Sequence, residues 1–436
     1  MQTLYLSIIL FCLLSLIGTV IYLFLGLNSI GIIISLILTL AFFIYLKKHF
    51  KLNWAKPKFE PSSWRDWLLI IYLAFWLFSF YILYKSRTGQ VMISPWQVVD
   101  SSFFLVYTLS SALAVFALLK KTAGYRLMLC MHYFLSFSVA LAVYSIGYGF
   151  DPFIHQASVK FIDQFGAILP KTPYYLGQYS LIVIIHKITF IPLIWLDKLL
   201  VPLTAAIFLP WTACKILPRI FDNKIITRLL ILISLILPFA FFIITTPQGF
   251  AYVLLIMIIL LGLIANKKKD FFILYLLALT SMAVQPIVGI PALIFTAALH
   301  SYKSSFKLKK EILIILIAAN IFILPALFYS INKTNAVEAP VNSKAAVARE
   351  VDSQLFAMPN NEEFWLNFAY LYEKNIILLV VLLIIIGMAY ARIEKKQPWM
   401  IYSAQASALL IAYALTKNLS FDFLINYERD NYADRI

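Results

Sequence analysis

The sequence predicts an all-α fold, a polytopic bundle of about 12–13 membrane segments, and three observations predict it. Of 436 residues, 62% are apolar and only 13% are charged, a balance outside the range of soluble globular chains. Apolar runs of the roughly 20 residues that a helix needs to cross a hydrocarbon core of about 30 Å recur along the chain. Such runs, Ile231 to Ile244 and Ile376 to Ile386 among them, are apolar on nearly every face, whereas a membrane β-barrel would alternate polar and apolar residues. The cysteines Cys12, Cys130 and Cys214 all fall inside apolar runs, so no disulfide framework or CxxC metal site is offered. Met1-Gln2-Thr3 lacks a basic leader and no small-residue cleavage pattern follows, so the first run reads as a retained helix.

Spans are predicted at about 4–25, 29–46, 67–84, 101–119, 127–148, 194–216, 229–245 and 249–265. A broken stretch at 271–300 follows, then spans at about 312–331, 375–391 and 399–415. The segments between them sort by charge. Residues 47–66, 120–126, 215–228, 267–270, 303–311 and 392–396 hold 23 of the 36 lysines and arginines but only six of the 20 acids. The remaining chain holds 13 basic and 14 acidic residues. Short cytoplasmic loops carry the excess of Lys and Arg, so the first set is expected in the cytoplasm together with the N-terminus. The expected site is the cytoplasmic membrane of a prokaryote. The net charge of +16 is then a property of topology and calls for no nucleic-acid partner.

Both flanks of the 271–300 stretch are basic, so the chain must go out and return within 30 residues. Arms of about 13 residues reach only about 20 Å and cannot comfortably cross a lipid-exposed core. The hairpin, with Gln285-Pro286 at its tip and Gly289 and Pro291 beyond, is expected to end inside the protein or a cavity. Gln285 is a candidate binding residue on that account; a Pro-broken hairpin packed on its neighbours is the plainer reading.

Three segments on the opposite side are long: residues 149–193, 332–374 and 416–436. The first opens Gly149-Phe150-Asp151-Pro152-Phe153-Ile154-His155 and continues as an amphipathic pattern, with Ile154, Ala157, Phe161 and Phe165 on one face of a surface helix. Asp before Pro is a good helix start, which explains Asp151 by capping alone. Its position where an apolar span emerges, four residues before His155, also lets both side chains project into one cavity. Lys171 to Tyr179 follows, in which Tyr175 and Gln178 suit either an interfacial aromatic belt or a sugar-binding surface. In the last segment Glu428 and Arg435, seven apart, share one helix face at the outer boundary.

The chain has no P-loop, GxGxxG, HExxH or GxSxG motif and no Cys/His cluster. Ionisable residues within the spans are few, Asp197 and His132 being the main ones, which weakens an ion-coupled transporter.

The Gly149–His155 motif resembles the one that opens the first large outer loop of GT-C superfamily glycosyltransferases, where an acid follows the first core helix, then an amphipathic helix, then an aromatic segment. Asp151, residues 153–166 and Tyr174 to Tyr179 match those parts in order. The sequence departs from the family in its four preceding spans, in a lone Asp151 where an acidic pair is usual, and in lacking a C-terminal soluble domain. The resemblance implies a GT-C-like core over residues 127–436, ending before its natural C-terminus, behind a four-helix accessory region at 1–126. It implies an enzyme, a hexosyl- or pentosyltransferase that uses a polyprenyl-phosphate-linked sugar donor among the membrane lipids and a glycan, lipid or protein acceptor. Asp151 would be the general base, with His155, Tyr175, Gln178 and Gln285 as sugar or acceptor ligands. Lys187, Glu428 and Arg435 would lie around the donor phosphate. A divalent cation is left open, its ligands unspecified. A lipid-linked oligosaccharide flippase, or a surface polysaccharide polymerase or ligase, is the alternative.

Overall fold

The computed structural model describes residues 1–54, 64–90, 94–122, 124–149, 151–169, 174–221, 223–233, 239–303, 309–335, 385 and 397–418. In chain order the helices are α1 (Gln2–Phe24), α2 (Ser29–His49), α3 (Trp64–Lys85), α4 (Ser102–Lys120), α5 (Tyr125–Phe137), α6 (Val139–Val143), α7 (Asp151–Phe165), α8 (Leu176–Thr189), α9 (Leu193–Ile216), α10 (Lys224–Ile233), α11 (Pro247–Gly262), α12 (Lys268–Val284), α13 (Pro286–Lys303), α14 (Lys309–Asn335) and α15 (Gln397–Asn418). Among the described residues there is no strand, only an isolated bridge between Thr88 and Tyr144. Helices α1, α2, α3, α4 and α9 are long and apolar enough to cross a membrane, and α11, α14 and α15 contain shorter apolar stretches. The described residues are thus helical, with several helices fit to cross a membrane, as a polytopic helical bundle requires.

Two compact units divide at residues 296 and 297, inside α13. In the second unit α14 packs on α15, and Asn320 donates a side-chain hydrogen bond to Gln405 across them. In the first unit α1 is central, packed against α2, α8 and α12. Helix α2 meets it through Gly31, Ser35 and Thr39, small residues four apart that let backbones approach, while its bulky Ile30, Ile33, Ile37 and Phe42 stay exposed.

Two turns of chain end inside this unit. Along α1, Leu27 donates to the Gly166 carbonyl at 2.7 Å, Tyr22 accepts from Ile168 N–H at 3.0 Å, and Ser15 donates to the Gly177 carbonyl at 2.7 Å. From Tyr22 to Ser15 is about 10 Å along a helix axis, so Gly177, at the start of α8, lies about 10 Å further along α1 than Ile168 does. Leu176 to Ile184 are all buried, which makes α8 a core helix instead of the surface belt that its tyrosines suggested.

The α12–α13 hairpin turns at Gln285 as expected. Its arms of 17 and 18 residues span about 26 Å, not 20, because the first recruits Lys268-Lys269-Asp270. Asp270 accepts from the N–H groups of Asn266 and Lys267 at 3.2 and 3.0 Å and from Tyr5 at 2.9 Å. That capping carboxylate starts the helix earlier than its apolar run begins.

Two expected spans are interrupted. The 127–148 run kinks at Ser138 and ends at Val143, where Tyr144 turns extended. There Thr88 takes over the backbone bonds, donating to the Val143 carbonyl and accepting from Ser145 N–H, both at 2.9 Å. The 229–245 run gives α10, then a short 3₁₀ turn at Phe239–Phe242 and non-helical Ile243 to Thr246.

Candidate active site

The two interrupted runs border one cleft at the start of α9. Irregular backbone at membrane depth is tolerated where it is buried or lines a cavity, and this cleft is where both runs unwind. Tyr144 and Tyr148 stack on its wall with ring centroids 5.1 Å apart. Gly147 keeps φ at +151°, and a Cβ there would lie 2.9 Å from the Phe153 ring, so only glycine lets α7 close this side.

Asp197 and Lys198 enter from α9. Asp197 is 2% exposed, Gln156 of α7 is its hydrogen-bonding neighbour, and its Oδ1 has no partner among the described residues. Lys198 donates to the Ser145 carbonyl at 3.3 Å and lies 5.9 Å from the Trp195 ring. Pro202, inside α9, has no N–H for the Lys198 carbonyl four residues back. Thr245 repairs the gap by donating to that carbonyl and accepting from Val201 N–H, each at 3.2 Å.

The residues expected from the sequence divide into groups. Neither Asp151 nor His155 lines the cleft; Pro152, Phe153 and Gln156 do. At about 100° per residue those three occupy a different side of α7 from residues 151 and 155. Asp151 is the exposed first residue of the helix. His155 faces α8 instead, with Nδ1 2.7 Å from the Tyr179 hydroxyl and its ring 5.1 Å from that of Tyr175. Gln178, 0% exposed and with neither amide atom hydrogen-bonded, follows Gly177 in the same helix.

Gly177 is the meeting point of the two buried turns. A Cβ there would lie 2.8 Å from Val284 Cγ2 and 3.0 Å from the Ala283 backbone. Gln178 and Gln285, the latter 5% exposed, each lie one residue past this contact. Lys187 is engaged elsewhere, in a 2.7 Å ion pair with Asp163 that clamps the end of α7 to α8. Glu428 and Arg435 lie outside the described residues.

The other ionisable residue noted in a span, His132, bonds Ser111 at 3.2 Å and stacks on Tyr107 at 5.1 Å, a helix-packing role. Among the described residues no three His, Cys, Asp or Glu side chains lie together. Comparison with protein-family models, curated proteins and solved structures finds no match to this chain.

The sequence singled out Asp197 as one of few ionisable residues within the spans, and Tyr144, Tyr148 and Gln156 were not singled out. The available signal was the rarity of a carboxylate in an apolar run, which by itself marks a functional position.

Proposed function

We propose that the chain is a membrane glycosyltransferase that moves a hexosyl or pentosyl unit from a polyprenyl-phosphate donor to an acceptor at the Asp197 cleft. One observation carries this reading: a carboxylate 2% exposed, with an unpartnered oxygen, set among stacked tyrosines and beside a lysine. Asp197 acts as general base, taking the acceptor hydroxyl's proton as that oxygen attacks the anomeric carbon and the polyprenyl phosphate departs with the bonding pair. Lys198 stabilises the charge on the leaving phosphate. The faces of Tyr144 and Tyr148 carry the sugar ring.

Asp151, one residue before cleft-lining Pro152, receives the acceptor at the rim. Exposed Phe153, Ile154, Phe161 and Phe165 of α7 give the donor's lipid tail an apolar surface. The charge asymmetry of the loops orients this cleft away from the cytoplasm, in the cytoplasmic membrane of a prokaryote.

The test is sugar transfer from a radiolabelled polyprenyl-phosphate hexose in membrane vesicles holding the full chain. Asp197→Asn is expected to lower transfer about 10²–10⁴-fold while the protein stays folded. Wild-type transfer by this variant would end the assignment.

A lipid-linked oligosaccharide transporter is a second reading, favoured by the two turns that meet inside the bundle at Gly177 and Val284. Wild-type flipping of a fluorescent lipid-linked oligosaccharide, with no transfer detected, would select it.

A further inference from the structure

At the far end of α9 from Asp197 lies a second and larger cavity, of about 390 Å³. Asp197 and Cys214 are separated by about 26 Å along the helix, so the two cavities are distinct places. Four cations line the second one: Lys121 just past α4, Arg126 at the start of α5, and Lys224 and Arg228 four apart on α10. No acidic side chain is among the described residues that line it. The single acid of the 215–228 segment, Asp222, lies outside them.

This crowding has a physical cost. Like charges four apart on a helix repel, and four cations around one cavity raise its potential well above that of bulk water. Burial, followed by Lys215, Arg219 and Arg126, also holds the amino-terminal amine below its ordinary value, so the positive field reaches beyond the cavity itself.

Each guanidinium group makes a hydrogen bond to the protein. Arg228 donates through Nη1 to the Leu119 carbonyl at the end of α4, and Arg126 donates through Nε to the Tyr125 hydroxyl at 3.0 Å. Each keeps further N–H donors in a fixed fork, the geometry that matches phosphate oxygens in pairs. Leu118 and Ile231 give the cavity an apolar wall.

We infer that this cavity binds the phosphate of an anionic lipid headgroup. The fixed guanidinium forks take the phosphate oxygens, the lysines neutralise the remaining charge, and the acyl chains leave along the apolar wall into the bilayer. The site is independent of glycosyl transfer, since it shares no residue with the Asp197 cleft.

The test uses the full chain in nanodiscs of phosphatidylcholine with increasing phosphatidylglycerol, and native mass spectrometry to count retained anionic lipid. Lys121→Gln with Lys224→Gln, both at exposed positions, is expected to weaken retention about tenfold, a change of about 1.4 kcal/mol. Arg126→Gln should weaken it likewise, and Lys85→Gln, outside this cavity, should not. Inorganic diphosphate is the soluble probe. Micromolar binding of diphosphate without lipid retention would overturn the lipid assignment, and unchanged retention in both charge-removing variants would overturn the site.

Discussion

The hydroxyl of Thr245 donates at 3.2 Å to the carbonyl of Lys198, the group that Pro202 leaves without its helical partner. This one side chain therefore supports the backbone that presents Asp197 and Lys198 to the cleft. Thr245→Val keeps the shape and leaves the Lys198 carbonyl without this partner. The expected loss is about 1–3 kcal/mol in reversible unfolding from detergent micelles, with Thr245→Ser close to wild type. Equal stability of the Val and Ser variants would show that the splint carries no energy.

Gly177 tolerates no side chain, because Val284 and the Ala283 backbone already occupy the space a Cβ would fill. Gly177→Ala should force the two buried turns apart and cost about 1–3 kcal/mol, as overpacking does elsewhere. Val284→Ala in the same chain removes the nearer clash but not the backbone one, so partial recovery is expected. Full stability of Gly177→Ala alone would mean that the turns do not meet as described.

His155 and Tyr179 join α7 to α8 through the 2.7 Å contact between Nδ1 and the hydroxyl. A double-mutant cycle with His155→Leu and Tyr179→Phe should return a coupling of about 0.5–1.5 kcal/mol. A coupling indistinguishable from zero would reduce this contact to proximity.

The helices were legible because the length of an apolar run reports directly on membrane crossing, and the α12–α13 turn was legible from Gln285-Pro286. The ends of α6 and α8 were not. Tyr144 leaves the helix because Thr88, far back in the chain, supplies its neighbours' backbone bonds. Helix α8 is buried because Ser15, 162 residues earlier, bonds Gly177. The candidate site divides the same way. His155, Tyr175 and Gln178 stood out as polar and aromatic residues near an emerging span, and the structure gathers His155 and Tyr175 around Tyr179. Asp197 stood out only as one of few ionisable residues within the spans. Its cleft forms only when Ser145 and Thr245, 53 and 44 residues from their α9 partners, come together on that helix.

The most direct test of the central claim, that the Asp197 cleft is where the sugar donor binds, is photolabelling of the full chain. A diazirine-bearing short-chain polyprenyl-phosphate hexose would be bound, irradiated, and its attachment mapped by peptide mass spectrometry. Label is expected on the cleft-lining residues Tyr144, Tyr148, Phe153, Gln156 and Lys198, and excess unlabelled donor should compete it away. Label that falls elsewhere, or that unlabelled donor leaves unchanged, would contradict the account.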